Sequence, residues 1–171
     1  MQDEKHGDII KRMEITGDWT KVQERKGCII EKQSYVSNGT AYAVDGIHVI
    51  LKPSEQERNV AKILSEKYGK TVELVPRVVY PQGMQTPDYL IDGERFDLKS
   101  PIGSGKQLLY NMVVRKRRQS SNSIFDITEC PLSNDEIRQQ AMALYYSRHT
   151  RFIDKIVIMR SGEILNVYSR Q

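Results

Sequence analysis

From residue 53 onward the chain alternates between helix and strand signals, and this alternation constrains the fold most strongly. Ser54-x-x-Glu57 and Ser133-x-x-Glu136 are capping boxes that predict helix starts, and Gly69 is a typical stop for the first helix. A third helix is predicted over residues 106–119, and strands are predicted over residues 72–80, 87–92, 95–100, 123–128, 152–159 and 164–168. Because helices interrupt the strands, the order predicts an α+β fold, with helices packed on a mixed central sheet.

The first part of the chain gives weaker signals, and residues 1–40 are predicted to be an N-terminal extension of a domain that spans residues 41–171. Within the extension, residues 3–13 are compatible with a helix, and the run from Gly27 to Ile30 can begin a strand. The Asp45-Gly46 dipeptide is typical of a tight turn and predicts a hairpin between residues 41–44 and 47–51.

Composition excludes several classes of protein. Hydrophobic residues make up 39% of the chain, and no apolar run approaches the roughly 18 residues of a membrane-spanning helix, so no membrane insertion is expected. The two cysteines and three histidines are too scattered for a disulfide framework or a zinc site. Gly103-x-Gly105-Lys106 lacks the spacing of a Walker phosphate loop.

The positive charge of the chain is concentrated in one segment. The net charge is +4, and no acidic residue lies between Asp97 and Asp126. That interval contains six cations: Lys99, Lys106, Arg115, Lys116, Arg117 and Arg118. Lys106, Arg115, Lys116 and Arg118 are therefore candidates for binding nucleic-acid phosphates. The alternative is a solvated helix end whose cations complement the helix dipole.

The densest group of reactive side chains lies on the predicted hairpin PDYLIDGERFDLK. Asp97 and Lys99 are two residues apart on a strand and face the same side, and the hairpin can bring Asp88 close to them. Carboxylates can hold a divalent cation or take a proton, and a lysine can stabilise charge on a phosphodiester in its transition state. Gln119 and Asp126 complete this neighbourhood. The alternative is that Asp97 and Lys99 are surface charges on the solvent face of a hairpin.

The run from residue 75 to 127, followed by RFIDKIVIM at residues 151–159, resembles the CdiA-type C-terminal tRNase toxin domains of contact-dependent growth inhibition. The resemblance covers roughly residues 40 to 170. It implies an endoribonuclease that is secreted or delivered into the cytoplasm of a target bacterium, cleaves tRNA there and is neutralised by a cognate immunity protein. It also implies a catalytic role for residues that match recurrent polar positions of the family: Asp88, Asp97, Lys99, Gln119 and Asp126.

The resemblance leaves two nuclease architectures open. The barnase/EndoU/colicin/RelE-like fold cleaves RNA without a metal or other cofactor, using the 2′-hydroxyl group as nucleophile. The combination of Pro87-Asp88 with Asp97-x-Lys99 also looks like a PD-(D/E)XK nuclease core. That core would hold Mg²⁺ at Asp88 and Asp97 and often cleaves DNA. A third interpretation is a nucleic-acid-binding module without catalytic activity.

Overall fold

The computed structural model describes residues 10–13, 17–24, 26–115 and 120–170. The chain divides into two compact units, one made of residues 21–97 and the other of residues 1–20 and 98–171. Each unit has its own group of mixed strands with helical packing, so the predicted α+β class with mixed sheet is confirmed. The proposed domain boundary at residue 40 stays a prediction.

The strands are β1 (Ile10–Met13), β2 (Cys28–Glu31), β3 (Ser34–Ser37), β4 (Thr40–Ala43), β5 (Val49–Ile50), β6 (Thr71–Leu74), β7 (Arg77–Val78), β8 (Tyr89–Ile91), β9 (Glu94–Lys99), β10 (Asn122–Asp126), β11 (Lys155–Arg160) and β12 (Glu163–Arg170). The α-helices are α1 (Glu55–Tyr68), α2 (Leu108–Arg115) and α3 (Asn134–Tyr146), and two short 3-10 helices cover Gly17–Trp19 and Arg148–Thr150.

In the unit of residues 21–97, β2 runs parallel to β6, and β6, β8 and β9 form an antiparallel meander. Helix α1 packs against β2 and β6. Its start is the predicted capping box at Ser54 and Glu57, and it ends at Gly69, which adopts a left-handed conformation with φ of 64°. The hydroxyl group of Tyr89 donates a 2.7 Å hydrogen bond to the carbonyl of Glu57, which ties the hairpin to the first turn of α1.

The hairpin predicted at Asp45-Gly46 is wrong. Strand β4 pairs with β3 across Asn38-Gly39, and β5 pairs with β7. The Asp45 carboxylate explains the difference, because it accepts hydrogen bonds of 2.7–2.9 Å from the backbone N–H groups of residues 47, 48 and 49. These bonds hold the pKa of Asp45 well below its usual range and wrap the chain into a loop instead of a returning strand.

The single strand predicted over residues 72–80 is broken by Pro76 into β6 and β7, which pair with different partners. Proline has no N–H group to donate to a ladder, so a break at this position is its expected effect. Strands β5 and β7 instead contribute Val49 and Val78 to a small apolar cluster that also contains Tyr35.

In the other unit, β10 is parallel to β11, and β11, β12 and β1 are antiparallel neighbours. Helices α2 and α3 pack against each other. The core of this unit contains fully buried apolar side chains from the strands and both helices: Leu109, Phe125, Ile127, Ile137, Leu144, Ile156 and Tyr168. The predicted helix over residues 3–13 is wrong for residues 10–13, which form β1, and its first residues lie outside the described part of the chain.

One arginine ties the end of this sheet to the loop before α3. Arg160 donates hydrogen bonds to the carbonyls of Ile127, Cys130 and Leu132, at 3.2, 3.2 and 2.7 Å, and to the side chain of Asn134. Several carbonyls of the β10–α3 connection therefore depend on a single guanidinium group.

We expect Arg160→Ala to lower the free energy of unfolding by about 2–3 kcal/mol, because charge-assisted hydrogen bonds are lost and carbonyls lose their donor. Arg151→Ala is the control, since Arg151 is exposed, and it should change stability by less than about 0.5 kcal/mol. Urea denaturation followed by circular dichroism measures both. Equal stability of the two variants would show that Arg160 does not support this connection.

Candidate active site

Strand β9 carries a polar face and an apolar face. Arg95, Asp97 and Lys99 alternate with Phe96 and Leu98, so the three charged residues share one side of the strand. Asp97 is 2% exposed and Lys99 is 7% exposed. Buried charges are rare because they lose the stabilisation that water provides. The alternative of two solvent-facing surface charges is therefore wrong.

Asp88 lies beside this face on the neighbouring strand. It directly precedes β8, its N–H group donates a 3.1 Å hydrogen bond to the carbonyl of Phe96, and its carbonyl accepts a 3.2 Å hydrogen bond from Val75. Since paired strands lie about 4.8 Å apart, the bond to Phe96 places the backbone of Asp88 next to the Phe96–Asp97 peptide. Asp88 itself is half-buried. Asp88 and Asp97 are therefore backbone neighbours across the β8–β9 pair.

Arg95 holds the outer end of the polar face and was not predicted from the sequence. Its guanidinium group donates a 2.9 Å hydrogen bond to the hydroxyl of Tyr35 and lies 5.9 Å from the centre of that ring. A second, longer bond of 3.5 Å reaches the carbonyl of Gln85, just before the segment that leads to Asp88. Arg95 therefore connects β9 to β3 and to the approach to β8. The signal available in the sequence was the two-residue spacing from Asp97.

The chemistry of this group is that of two adjacent carboxylates and one ammonium. Among the residues that the structure describes, no cluster of three or more His, Cys, Asp or Glu side chains is arranged to hold a metal ion. Mg²⁺ does not require such a cluster, because it commonly binds through one or two carboxylates, water and substrate phosphates. Asp88 and Asp97 are compatible with that mode. Without a metal, the same carboxylates can exchange a proton with a substrate hydroxyl.

Asp126 lies at the end of β10, where its Oδ1 atom accepts hydrogen bonds from the N–H group and the hydroxyl of Thr128, at 3.2 and 2.5 Å. The Thr128 hydroxyl in turn accepts a 2.9 Å hydrogen bond from the N–H group of Ser161. These contacts stabilise the turn after β10 and link it to the β11–β12 turn. They provide Asp126 with a structural role, and its catalytic role stays a prediction.

The predicted phosphate-binding residues are described only in part. Lys106 is exposed and lies in a turn, because α2 begins at Leu108 and not at residue 106 as predicted. Arg115 is exposed and is the last residue of α2. Lys116, Arg118 and Gln119 lie outside the described residues, as does Arg117. In the described part of the chain, no helix has the length and apolar character needed to cross a membrane.

Comparisons with known proteins agree on one family. Residues 85–164 match the model of the contact-dependent growth inhibition CdiA C-terminal domain. A chain of the solved CdiA-CT/CdiI toxin and immunity complex from Burkholderia pseudomallei is similar in fold, with a TM-score of 0.53 and 20% sequence identity over 81% of this chain and 96% of that chain. Comparison with curated proteins gives no significant match. Residues 85–164 are therefore similar to the CdiA C-terminal domain of contact-dependent growth inhibition, and the fold of the chain is similar to that of a chain from a CdiA-CT/CdiI complex.

Proposed function

We propose that this chain is a toxin endonuclease that cleaves RNA, with tRNA as its substrate, in the cytoplasm of a target bacterium. The observation that carries the proposal is the buried pair of Asp97 and Lys99 on one face of β9, with Asp88 on the adjacent strand. All three residues fall within the segment that matches the CdiA C-terminal domain. Buried charged residues often mark functional sites, and a carboxylate and an ammonium group are the groups that phosphodiester cleavage requires.

In this mechanism the scissile phosphate lies against the polar face of β9. The ammonium group of Lys99 stabilises the negative charge that develops on a phosphate oxygen, and a carboxylate of Asp97 or Asp88 accepts the proton of the attacking hydroxyl. Asp88 and Asp97 are also the residues that would hold Mg²⁺, which would supply Lewis-acid stabilisation of the developing charge. Burial strengthens each of these electrostatic effects, since little water competes with them.

A second candidate function is a metal-dependent deoxyribonuclease. The order α1, then β6, β8 and β9, then α2 and β10 follows the helix–three strands–helix–strand order of a PD-(D/E)XK core. Asp97-x-Lys99 lies on β9, and Pro87-Asp88 directly precedes β8, which pairs with β9. The same three side chains would then act on DNA, and their cleavage would depend on a divalent cation.

Purified protein incubated with total tRNA and with plasmid DNA, each with Mg²⁺ or with EDTA, distinguishes these functions. The proposal predicts cleavage of tRNA and not of DNA, and the EDTA arm reports whether Asp88 and Asp97 act through a metal. Cleavage of DNA alone, abolished by EDTA, would establish the second candidate. Binding of either nucleic acid with no cleavage would show a module without catalytic activity and contradict the proposal.

The partner proposed for this chain is a cognate immunity protein, as in the toxin and immunity complex that it resembles in fold. A nuclease of this kind endangers the cell that makes it, so an inhibitor must bind as soon as the chain folds. The exposed cations Lys106 and Arg115 favour an acidic inhibitor, because opposite charges accelerate association. Such an inhibitor would also exclude the phosphate backbone of the substrate.

We expect replacement of Arg115, Lys116, Arg117 and Arg118 by glutamine to weaken tRNA binding and to reduce its salt dependence. Each lost phosphate contact should reduce the slope of log K against log salt by about 0.7–0.9. A variant with four glutamines elsewhere is the control for total charge, at the exposed cations Lys52, Lys62, Lys67 and Arg77. Filter binding between 50 and 300 mM salt, roughly the range where such slopes are measured, gives both values. Equal slopes for the two variants would mean that the basic segment contacts no phosphate.

A further inference from the structure

A cavity of about 380 Å³ lies between α2 and α3, in the unit that contains residues 98–171. None of the residues that line it belongs to β9, so the cavity shares no residue with the polar face of that strand. Residues of the α2 start and of the second half of α3 form its walls, among them Lys106, Gln107, Tyr110, Gln140, Leu144 and Ser147. Its volume falls within the range of about 300–1,000 Å³ that is typical of small-ligand sites.

The walls of this cavity are fixed by Gln140. The Oε1 atom of Gln140 accepts a 3.1 Å hydrogen bond from the N–H group of Leu109, and its Nε2 atom donates a 2.8 Å hydrogen bond to the carbonyl of Gly105. Leu109 provides one of the first N–H groups of α2, which no carbonyl within the helix can satisfy. One side chain of α3 therefore caps α2 and holds the Lys106 turn against α3. The cavity is built by this contact between two helices.

The lining combines an aromatic ring, an apolar wall, amide groups and one cation. Tyr110 is partly buried and packs against the apolar core of its unit, while Leu144 belongs to that core. Lys106 is exposed at the rim of the cavity, and Ser147 lies at the end of α3. Among the described residues that line the cavity, none is acidic. Stacking on a tyrosine and ion pairing with a lysine are the two interactions by which proteins bind single-stranded nucleic acid without strict sequence preference.

We propose that this cavity binds one nucleotide of the nucleic-acid substrate. The base stacks on the Tyr110 ring beside Ala143, the exposed apolar residue of the lining, and its phosphate pairs with Lys106. The amide of Gln107 and the hydroxyl of Ser147 provide polar groups for the edge of the base. This inference rests on the proposed function, because it assigns the nucleic-acid substrate a second point of attachment.

The test measures binding and cleavage separately. A fluorescent single-stranded RNA is titrated into the full chain that carries Lys99→Met, which prevents cleavage, with and without Tyr110→Leu. We expect Tyr110→Leu to weaken binding about tenfold, the effect of losing one base stack, and to raise KM for tRNA by a similar factor in the otherwise unchanged chain while kcat changes little. Tyr146→Leu is the control, because Tyr146 is an exposed tyrosine at the end of α3 that does not line the cavity.

Lys106→Gln provides a second variant whose folding is not in question, because Lys106 is exposed. It should weaken RNA binding about threefold to fivefold and reduce the slope of log K against log salt by the amount expected for about one phosphate contact.

Adenosine monophosphate and inorganic phosphate are the small probes, and only the nucleotide should compete with RNA at this site. Competition by phosphate alone, or unchanged affinity in folded Tyr110→Leu and Lys106→Gln variants of a chain that cleaves tRNA, would overturn the inference. A wild-type chain that neither binds nor cleaves nucleic acid would overturn the proposed function, and this inference with it.

Discussion

Lys99→Met should lower the rate of tRNA cleavage at least 100-fold, the usual effect of removing one preorganised electrostatic stabiliser from an active site. Lys99 is 7% exposed and lies two residues from the buried Asp97, on the same face of β9. Methionine retains most of the apolar stem and removes only the charge and its donors. The initial rate of cleavage of labelled tRNA, measured at saturating substrate, gives the loss directly.

The matched control is Lys70→Met. Lys70 is also buried, at 6% exposed, and it pairs with Asp92 at 3.2 Å in the same hairpin region. Lys70→Met likewise removes a buried ammonium group from this part of the fold, although its partner Asp92 is 49% exposed. We expect Lys70→Met to retain cleavage wherever it remains folded by circular dichroism. A folded Lys99→Met protein with the rate of the wild type would exclude Lys99 from the reaction.

Expression of this chain alone in a bacterial cytosol should arrest growth and abolish colony formation. The reason is the proposed activity, since loss of intact tRNA stops protein synthesis. Co-expression of the cognate immunity protein should restore growth, and Lys99→Met should permit growth without it. Colony counts after induction, together with the integrity of tRNA on a denaturing gel, measure both effects.

The outcome that contradicts this prediction is healthy growth during strong expression of the intact, folded chain. Arrest that persists in Lys99→Met would also contradict it, because toxicity would then arise without the proposed catalytic group. Arrest with intact tRNA would shift the proposal to another nucleic acid. These outcomes therefore distinguish toxicity that is caused by the reaction assigned to β9 from toxicity that has another cause.

Local sequence signals predicted the elements that carry the site. The Asp92-Gly93 turn joins β8 to β9 as predicted, with φ of 49° at Asp92 and 86° at Gly93, because this dipeptide tolerates the left-handed conformations that a tight hairpin needs. The boxes at Ser54 and Ser133 cap α1 and α3 as predicted. In each case a few neighbouring residues determine the conformation, so the sequence contains the whole signal.

Features that depend on distant residues were not predictable in this way. The contact between Arg95 and Tyr35 joins residues 60 positions apart. Gln140 caps α2 from 31 positions away. The burial of Lys99 follows from packing around β9, whereas its sequence neighbours are equally compatible with an exposed strand. Even a local signal failed at Asp45-Gly46, because the Asp45 carboxylate binds the backbone N–H groups that a hairpin would use.

The most direct test of the central claim, that the polar face of β9 is catalytic, is the tRNA cleavage rate of Asp97→Asn compared with that of Glu94→Gln. Both changes remove one carboxylate charge from the same strand with almost no change in shape, but Asp97 is buried on the polar face and Glu94 is exposed on the other face. We expect Asp97→Asn to lose at least about 100-fold in rate, and Glu94→Gln to cleave at close to the wild-type rate. Wild-type cleavage by a folded Asp97→Asn protein would contradict the claim.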